Sequence, residues 1–172
     1  DKAESLGAAV EDELDKRAVL ARTLAASLAL RDNDIARFHR EAARASEDSG
    51  SSVFLVDRQR QLANTLMPRP MVLARGQGAP FMEGGPPGVF FASRGAFQQQ
   101  PVLGVLTPEA GVHPPRYNVG VALEPAVIQR VVVQHAAVMP GGGTDSVMDA
   151  RHLVIARSRD AGGAGLGLAV TR

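Results

Sequence analysis

Val53-Phe-Leu-Val-Asp57, a polar turn over residues 58–61, and Leu62-Ala-Asn-Thr65 decide the fold. The unbroken apolar run Val53–Val56 predicts a strand buried on both faces. The short polar turn then returns the chain as an antiparallel partner over Leu62–Leu66. Upstream, Leu6, Val10, Leu14, Ala18, Ala21, Ala25 and Leu28 recur at intervals of three and four. That is one stripe of an amphipathic helix from about Ala3 to Leu30. Glu4, Glu11, Asp12, Glu13 and Asp15 fill its first half and Lys16, Arg17, Arg22 and Arg31 come later, a polarity that suits the helix dipole. At 1.5 Å per residue the run reaches about 40 Å, long for a helix that only covers one small sheet. The stripe either packs on its own sheet alone or also pairs with a second copy; Leu6, Val10 and Leu14 are expected to project beyond the sheet, and an exposed stripe there would favour association.

Asp32-Asn33-Asp34 breaks the helical pattern and supplies a new N-cap. Ile35, Phe38, Ala42 and Ala45 then mark a second helix that ends near Asp48-Ser-Gly50. Downstream of the hairpin, residues 67–88 carry five prolines and five glycines with no period, and such a span is usually functional or disordered. Strand patterns resume at Val89–Ala92, Val102–Thr107 and Tyr117–Leu123. Glu124-Pro125 opens a helix with proline in its first turn, and Ile128, Val131, Val132 and His135 carry it to Met139-Pro140. Val147–Ser158 repeats the logic of the first hairpin and predicts the start of a second, similar unit. The expected organisation is therefore a principal domain over 1–140 and a rudimentary second unit over 141–172.

Composition narrows the function classes. The 172 residues suffice for one domain with a real core. Nineteen basic and 18 acidic residues nearly cancel, so no basic stripe points to nucleic acid. Six Phe, one Tyr and no Trp leave few stacking platforms for single strands. With no cysteine there are no disulfides, thiolate metal sites or cysteine nucleophiles. No apolar run approaches the roughly 20 residues of a membrane span. Nor does Asp1-Lys-Ala-Glu4 open a signal peptide.

Leu28-Ala-Leu-Arg-Asp32, Ile35-Ala-Arg-Phe-His39 and the Val53–Thr65 hairpin together resemble the periplasmic PAS-like (Cache) sensor region of alphaproteobacterial sensor histidine kinases. Asp149–Ser158 is similar to the start of the membrane-proximal half of that region. The resemblance spans roughly residues 15–160 and rests on element order rather than on catalytic motifs. It implies an α+β fold, a PAS/Cache-like central antiparallel sheet of about five strands with the long N-terminal helix packed behind it. It also implies a ligand pocket between the sheet and the Met67–Gly88 segment. The expected function is extracytoplasmic signal sensing for a membrane-bound two-component histidine kinase. A small ligand, such as an organic acid, would bind, and the N-terminal helix would relay the event.

The resemblance further implies a periplasmic location, flanking membrane helices outside this chain, and a homodimer in the full receptor. It places ATP-dependent autophosphorylation in a kinase domain outside this chain, which itself is expected to need no cofactor. The alternative is a ligand-free dimerisation or protein-interaction module of a receptor, such as a diguanylate cyclase or chemoreceptor. The chain departs from the family pattern in a short first turn that lacks Asp-Gly, and in its rudimentary second unit.

The candidate ligand-binding residues are Arg69, Arg75, Phe90, Arg94, Tyr117 and Asn118. The arginines lie in or beside the long loop, where each could meet a carboxylate or stand in solvent. Of Phe90 and Phe91, one must face the core and the other away. Tyr117 brings a hydroxyl that needs a partner, in the protein or in a ligand. No catalytic or metal-ligating set emerges. His39, His113, His135 and His152 are scattered without the i, i+4 spacing of a helical zinc site. Asp57 and Asp149 end strands before turns and read as turn residues. Ser93 lacks a nucleophile elbow. The tail Gly163–Arg172 looks like a kinase glycine box, but no Asn-bearing helix or Asp-x-Gly-x-Gly turn accompanies it.

Overall fold

The computed structural model describes residues 2–75, 80–92, 94–95 and 101–137. The expected second unit over 141–172, the glycine-rich tail and Ser93 lie outside the described residues. The chain is α+β, with a six-stranded antiparallel sheet and a long N-terminal helix behind it. Helices α1 (Lys2–Ala25), α2 (Leu28–Arg31) and α3 (Ile35–Ser46) lead into strands β1 (Ser51–Val56) and β2 (Arg60–Asn64). A two-residue strand β3 (Leu73–Ala74), β4 (Gly88–Ala92), β5 (Val102–Pro108), β6 (Asn118–Leu123) and helix α4 (Pro125–Ala137) complete it. The order across the sheet is β3-β2-β1-β6-β5-β4.

Three boundaries differ from the sequence reading, each for a local reason. The long helix stops at Ala25, because the Ser27 hydroxyl turns inward and accepts the Ala29 N–H at 3.1 Å, capping α2. The same hydroxyl donates to Glu41 on α3 at 2.6 Å, so a tertiary contact fixes the break. Strand β2 starts at Arg60, two residues early. Asp57 accepts the N–H groups of Gln59 and Arg60 at 2.8 and 2.6 Å, and this tight turn brings pairing forward. A bulge between Leu55 and Val56 absorbs the offset. Finally, the sheet has six strands instead of about five, because β3 adds a short edge beside β2.

Residues alternate between the two faces of the sheet. Val53, Leu55, Leu103, Val105, Val119 and Val121 join α1, α3 and α4 in one core. Leu6, Val10 and Leu14 of α1 are buried in that core, and α4 packs on α1. The stripe expected to be exposed at the start of α1 is therefore covered. Phe54, Phe90, Ala92, Val102 and Leu106 occupy the opposite face.

One buried charge ties the helices to the sheet. The Arg17 side chain is 4% exposed. Its Nε donates to Ser51 Oγ at 2.9 Å, and its Nη2 donates to the carbonyls of Ser49 and Gly50 at 2.8 and 3.3 Å. Nη1 donates to the Glu13 carbonyl and pairs with the Glu13 carboxylate. Burial pushes the Glu13 carboxyl up, but its bond to Arg17 and the nearby cations outweigh this and hold it below its ordinary value of 4.5.

Arg17→Met should lower stability by about 3 kcal/mol, because it strands buried acceptors and the Glu13 charge. Urea unfolding should report this as a lower midpoint at constant m-value. The depressed Glu13 pKa means that its stabilisation is complete above pH 4.5 and is lost as pH falls through the lower folded value. The stability gap between the parent chain and Glu13→Gln should thus be flat near neutral pH and close below pH 4.5.

Candidate functional site

The face of the sheet away from α1 is incompletely filled. A cavity of about 300 Å³ lies on it, running along β1 from Ser52 to Val56. Its floor is set by two glycine–phenylalanine pairs. Phe54 on β1 stands opposite Gly120 on β6, and Phe90 on β4 stands opposite Gly104 on β5. With no side chain at Gly120 the Phe54 ring lies flat over that backbone, where a Cβ would overlap it. Phe90 brings its ring edge to Gly104, where a Cβ would lie 2.9 Å from Cε1. The two rings meet edge to face, centroids 5.5 Å apart and planes at 86°.

The walls come from several elements. Ser52 and Val56 on β1, Gln61 and Asn64 on β2, and Ala122 and Leu123 on β6 line it, with Glu124–Ala126 at the start of α4. Leu66, Arg75, Gly95 and Pro101 border it from the connections.

Polar groups in this cavity are buried and only partly satisfied. Asn64 Oδ1 accepts the Leu66 N–H at 2.9 Å, which turns Asn64 Nδ2 toward Gln61 Oε1 at 3.2 Å. That order fixes the Gln61 amide, and leaves its Nε2 donors without an acceptor among the described residues. The Ser52 hydroxyl has no partner among them either. Both residues are more than nine-tenths buried. Such groups cost free energy unless water or a ligand meets them. The Arg75 guanidinium donates to the Arg58 carbonyl at 3.4 Å and stands over the Phe81 ring at 5.9 Å. Burial lowers its pKa from the ordinary arginine value, partly countered by Asp57.

Of the six residues singled out from sequence, Arg75 and Phe90 line this cavity. Arg69 and Arg94 are exposed and do not line it. Tyr117 donates its hydroxyl to Asn33, beside α3, and burial raises its pKa despite the Arg116 cation. Asn118 is fully buried. It accepts the Met82 N–H at 2.7 Å and donates to the Met82 carbonyl at 3.0 Å, pinning residues 80–87 to β6. The loop thus covers part of the Asn118 end of the face.

Arg116 stacks on Tyr117 and holds the buried Glu109 carboxylate through Nε and Nη2 at 3.2 and 2.6 Å. This bond raises the Arg116 pKa. His39 Nε2 faces the carbonyls of Asn64 and Met67 at 3.1 and 2.9 Å, so Nε2 carries the proton and the ring is a structural tie. Among the described residues no cluster of His, Asp and Glu is placed to hold a metal ion, and no helix is long and apolar enough to cross a membrane.

Sequence reading missed Ser52, Phe54, Gln61 and Asn64. The signal is a phenylalanine facing a glycine across neighbouring strands, twice, and it exists only once the register is known. No protein-family model, curated protein or solved structure matches the chain.

The two glycines should respond differently to alanine. At Gly120 only the Phe54 ring must move, and the cavity gives it room. At Gly104 the new Cβ would lie 2.8 Å from the Ala122 Cα and press on the Val121 carbonyl, so the strands must separate. Gly120→Ala should cost about 1 kcal/mol and Gly104→Ala about 3 kcal/mol, compared by thermal or urea melts.

Proposed function

We propose that this chain is the ligand-sensing domain of an extracytoplasmic receptor, with a PAS/Cache-like sheet, whose parent is a two-component histidine kinase. The observation that carries the reading is the cavity on the sheet face away from α1, where the buried Ser52 hydroxyl and Gln61 amide nitrogen have no partner among the described residues. Enclosed, mainly apolar space with a few converging polar groups is the usual form of a small-molecule site.

Its position suits a relay. Residues 124–126 line the cavity and lead into α4, and α4 packs on α1. The Glu124 N–H donates to the Gly50 carbonyl at 3.0 Å, and Arg17 on α1 donates to that same carbonyl. An occupant that favours one placement of α4 would therefore bias α1. In the receptor, α1 would carry this bias toward the membrane, and autophosphorylation would follow in the kinase domain.

A second reading, a protein-interaction module, draws on the outer surface of the same loop region. Leu66, Met71 and Val72 are exposed large apolar residues close in sequence, and such grouping favours a protein contact.

The experiment is a thermal-shift screen of the purified chain against organic acids, amino acids, amines and purines. A ligand of the folded state should raise Tm in a saturable way, following RT ln(1 + [L]/Kd). Gly120→Ala, which lifts Phe54 into the cavity, should abolish the rise. If no compound raises Tm, the sensor reading fails. Association lost on Met71→Asp would then support the second.

A further inference from the structure

We propose that the cavity takes a single-ring aromatic carboxylate bearing a hydroxyl para to the acid. The inference rests on the ligand-binding reading above and names the chemistry of that site.

Size limits the occupant first. A cavity of about 150 Å³ takes one benzene, so about 300 Å³ suits one ring with two short polar substituents. The shape of the floor selects a flat body. Gly120 lets Phe54 lie down and Phe90 stands across it at 86°, so the floor offers one ring face and one ring edge. Aromatic rings prefer these two contacts, whereas a puckered aliphatic ring meets a ring face at fewer points.

The polar groups sit at opposite ends. Gln61 pairs with Val56, and Ser52 lies four residues away along β1 on the same face. At about 3.3 Å per residue the two backbone positions stand ~13 Å apart. The Ser52 and Gln61 side chains and a hydrogen bond of roughly 3 Å at each end shorten that span to no more than ~7 Å between the ligand's polar atoms. A benzene ring with para oxygen substituents spans about that distance.

The ends differ in charge. Gln61 presents free amide N–H donors, and the Arg75 cation lines the same cavity from the β3 side. Donors and positive charge together select a carboxylate. The Ser52 hydroxyl, which donates or accepts, suits a phenol.

The test uses the purified 172-residue chain and isothermal titration with 4-hydroxybenzoate, benzoate, 4-hydroxybenzamide and acetate. The expected result is saturable binding of 4-hydroxybenzoate, with benzoate and the amide each about tenfold weaker, and no binding of acetate. Gln61→Glu keeps an acceptor for Asn64 Nδ2 but reverses the electrostatics, so it should weaken the acid at least tenfold. Ser52→Ala should erase the preference for 4-hydroxybenzoate over benzoate and leave benzoate unchanged. That mild variant keeps the test decisive if Gln61→Glu unfolds. Equal affinity for 4-hydroxybenzoate and acetate overturns the proposal, as does indifference to both substitutions. If another class of compound binds and Gly120→Ala abolishes that binding, the cavity reading survives and the aromatic acid does not. If nothing binds, both fail.

Discussion

Arg17 carries a full charge where water scarcely reaches, and much of the architecture is arranged around keeping it satisfied. Taking a guanidinium out of water costs several kcal/mol, recovered only if its donors find well-placed acceptors. Here the acceptors are the Glu13 carboxylate and carbonyl, the Ser51 hydroxyl and the carbonyls of Ser49 and Gly50. They belong to two chain segments, so α1 and the turn into β1 must hold one relative position. The Gly50 carbonyl also receives the Glu124 N–H, which brings the start of α4 to the same point. Three elements are thereby fixed around one side chain.

The sheet divides two kinds of packing. On the helix side, Val and Leu from alternate positions fill the space against α1 and α4. On the other side the two Phe–Gly pairs keep the rings against the backbone and leave volume above them. A well-packed interior has few voids larger than a water molecule. A void lined by the free donors of Gln61 and by the Ser52 hydroxyl runs against both packing and polar satisfaction, and such departures concentrate at functional sites.

The sequence carried the element types well, because long apolar runs and a three–four stripe report directly on burial. It carried boundaries poorly where a distant partner decides them. Nothing near Ser27 ends the apolar stripe; the break depends on Glu41, 14 residues on. Strand β3 is two residues long and too short to show a period. The burial of Leu6, Val10 and Leu14 depends on tertiary packing, which no local pattern states. The cavity was the least legible feature. Ser52 and Gln61 look like ordinary polar residues at the ends of strands, and their isolation appears only when the sheet has closed around them. Arg75 and Phe90 were found because a cation beside a long loop and an aromatic in a strand are informative on their own. Asn118 and Tyr117 were conspicuous for the same reason, and the structure uses both as internal ties.

Ser51 and Ser52 show how a site on one face can be felt on the other. They are adjacent on β1, so the pleat sends them to opposite sides of the sheet. Ser51 meets Arg17 and therefore α1, while Ser52 faces the cavity. A change in the path of β1 at this point cannot move one without the other. The same holds at the start of α4, where Glu124–Ala126 border the cavity and Val127 packs against Gly50. Two routes thus run from the cavity wall to the buried guanidinium, one through a strand and one through a helix start. Both end on the hydrogen bonds of a guanidinium that is 4% exposed, and such bonds are costly to stretch. In the proposed sensor, a small displacement there would move α1 as a unit sooner than break the Arg17 contacts. Rigid coupling of this kind would turn a local change of packing into a shift between two arrangements of whole elements.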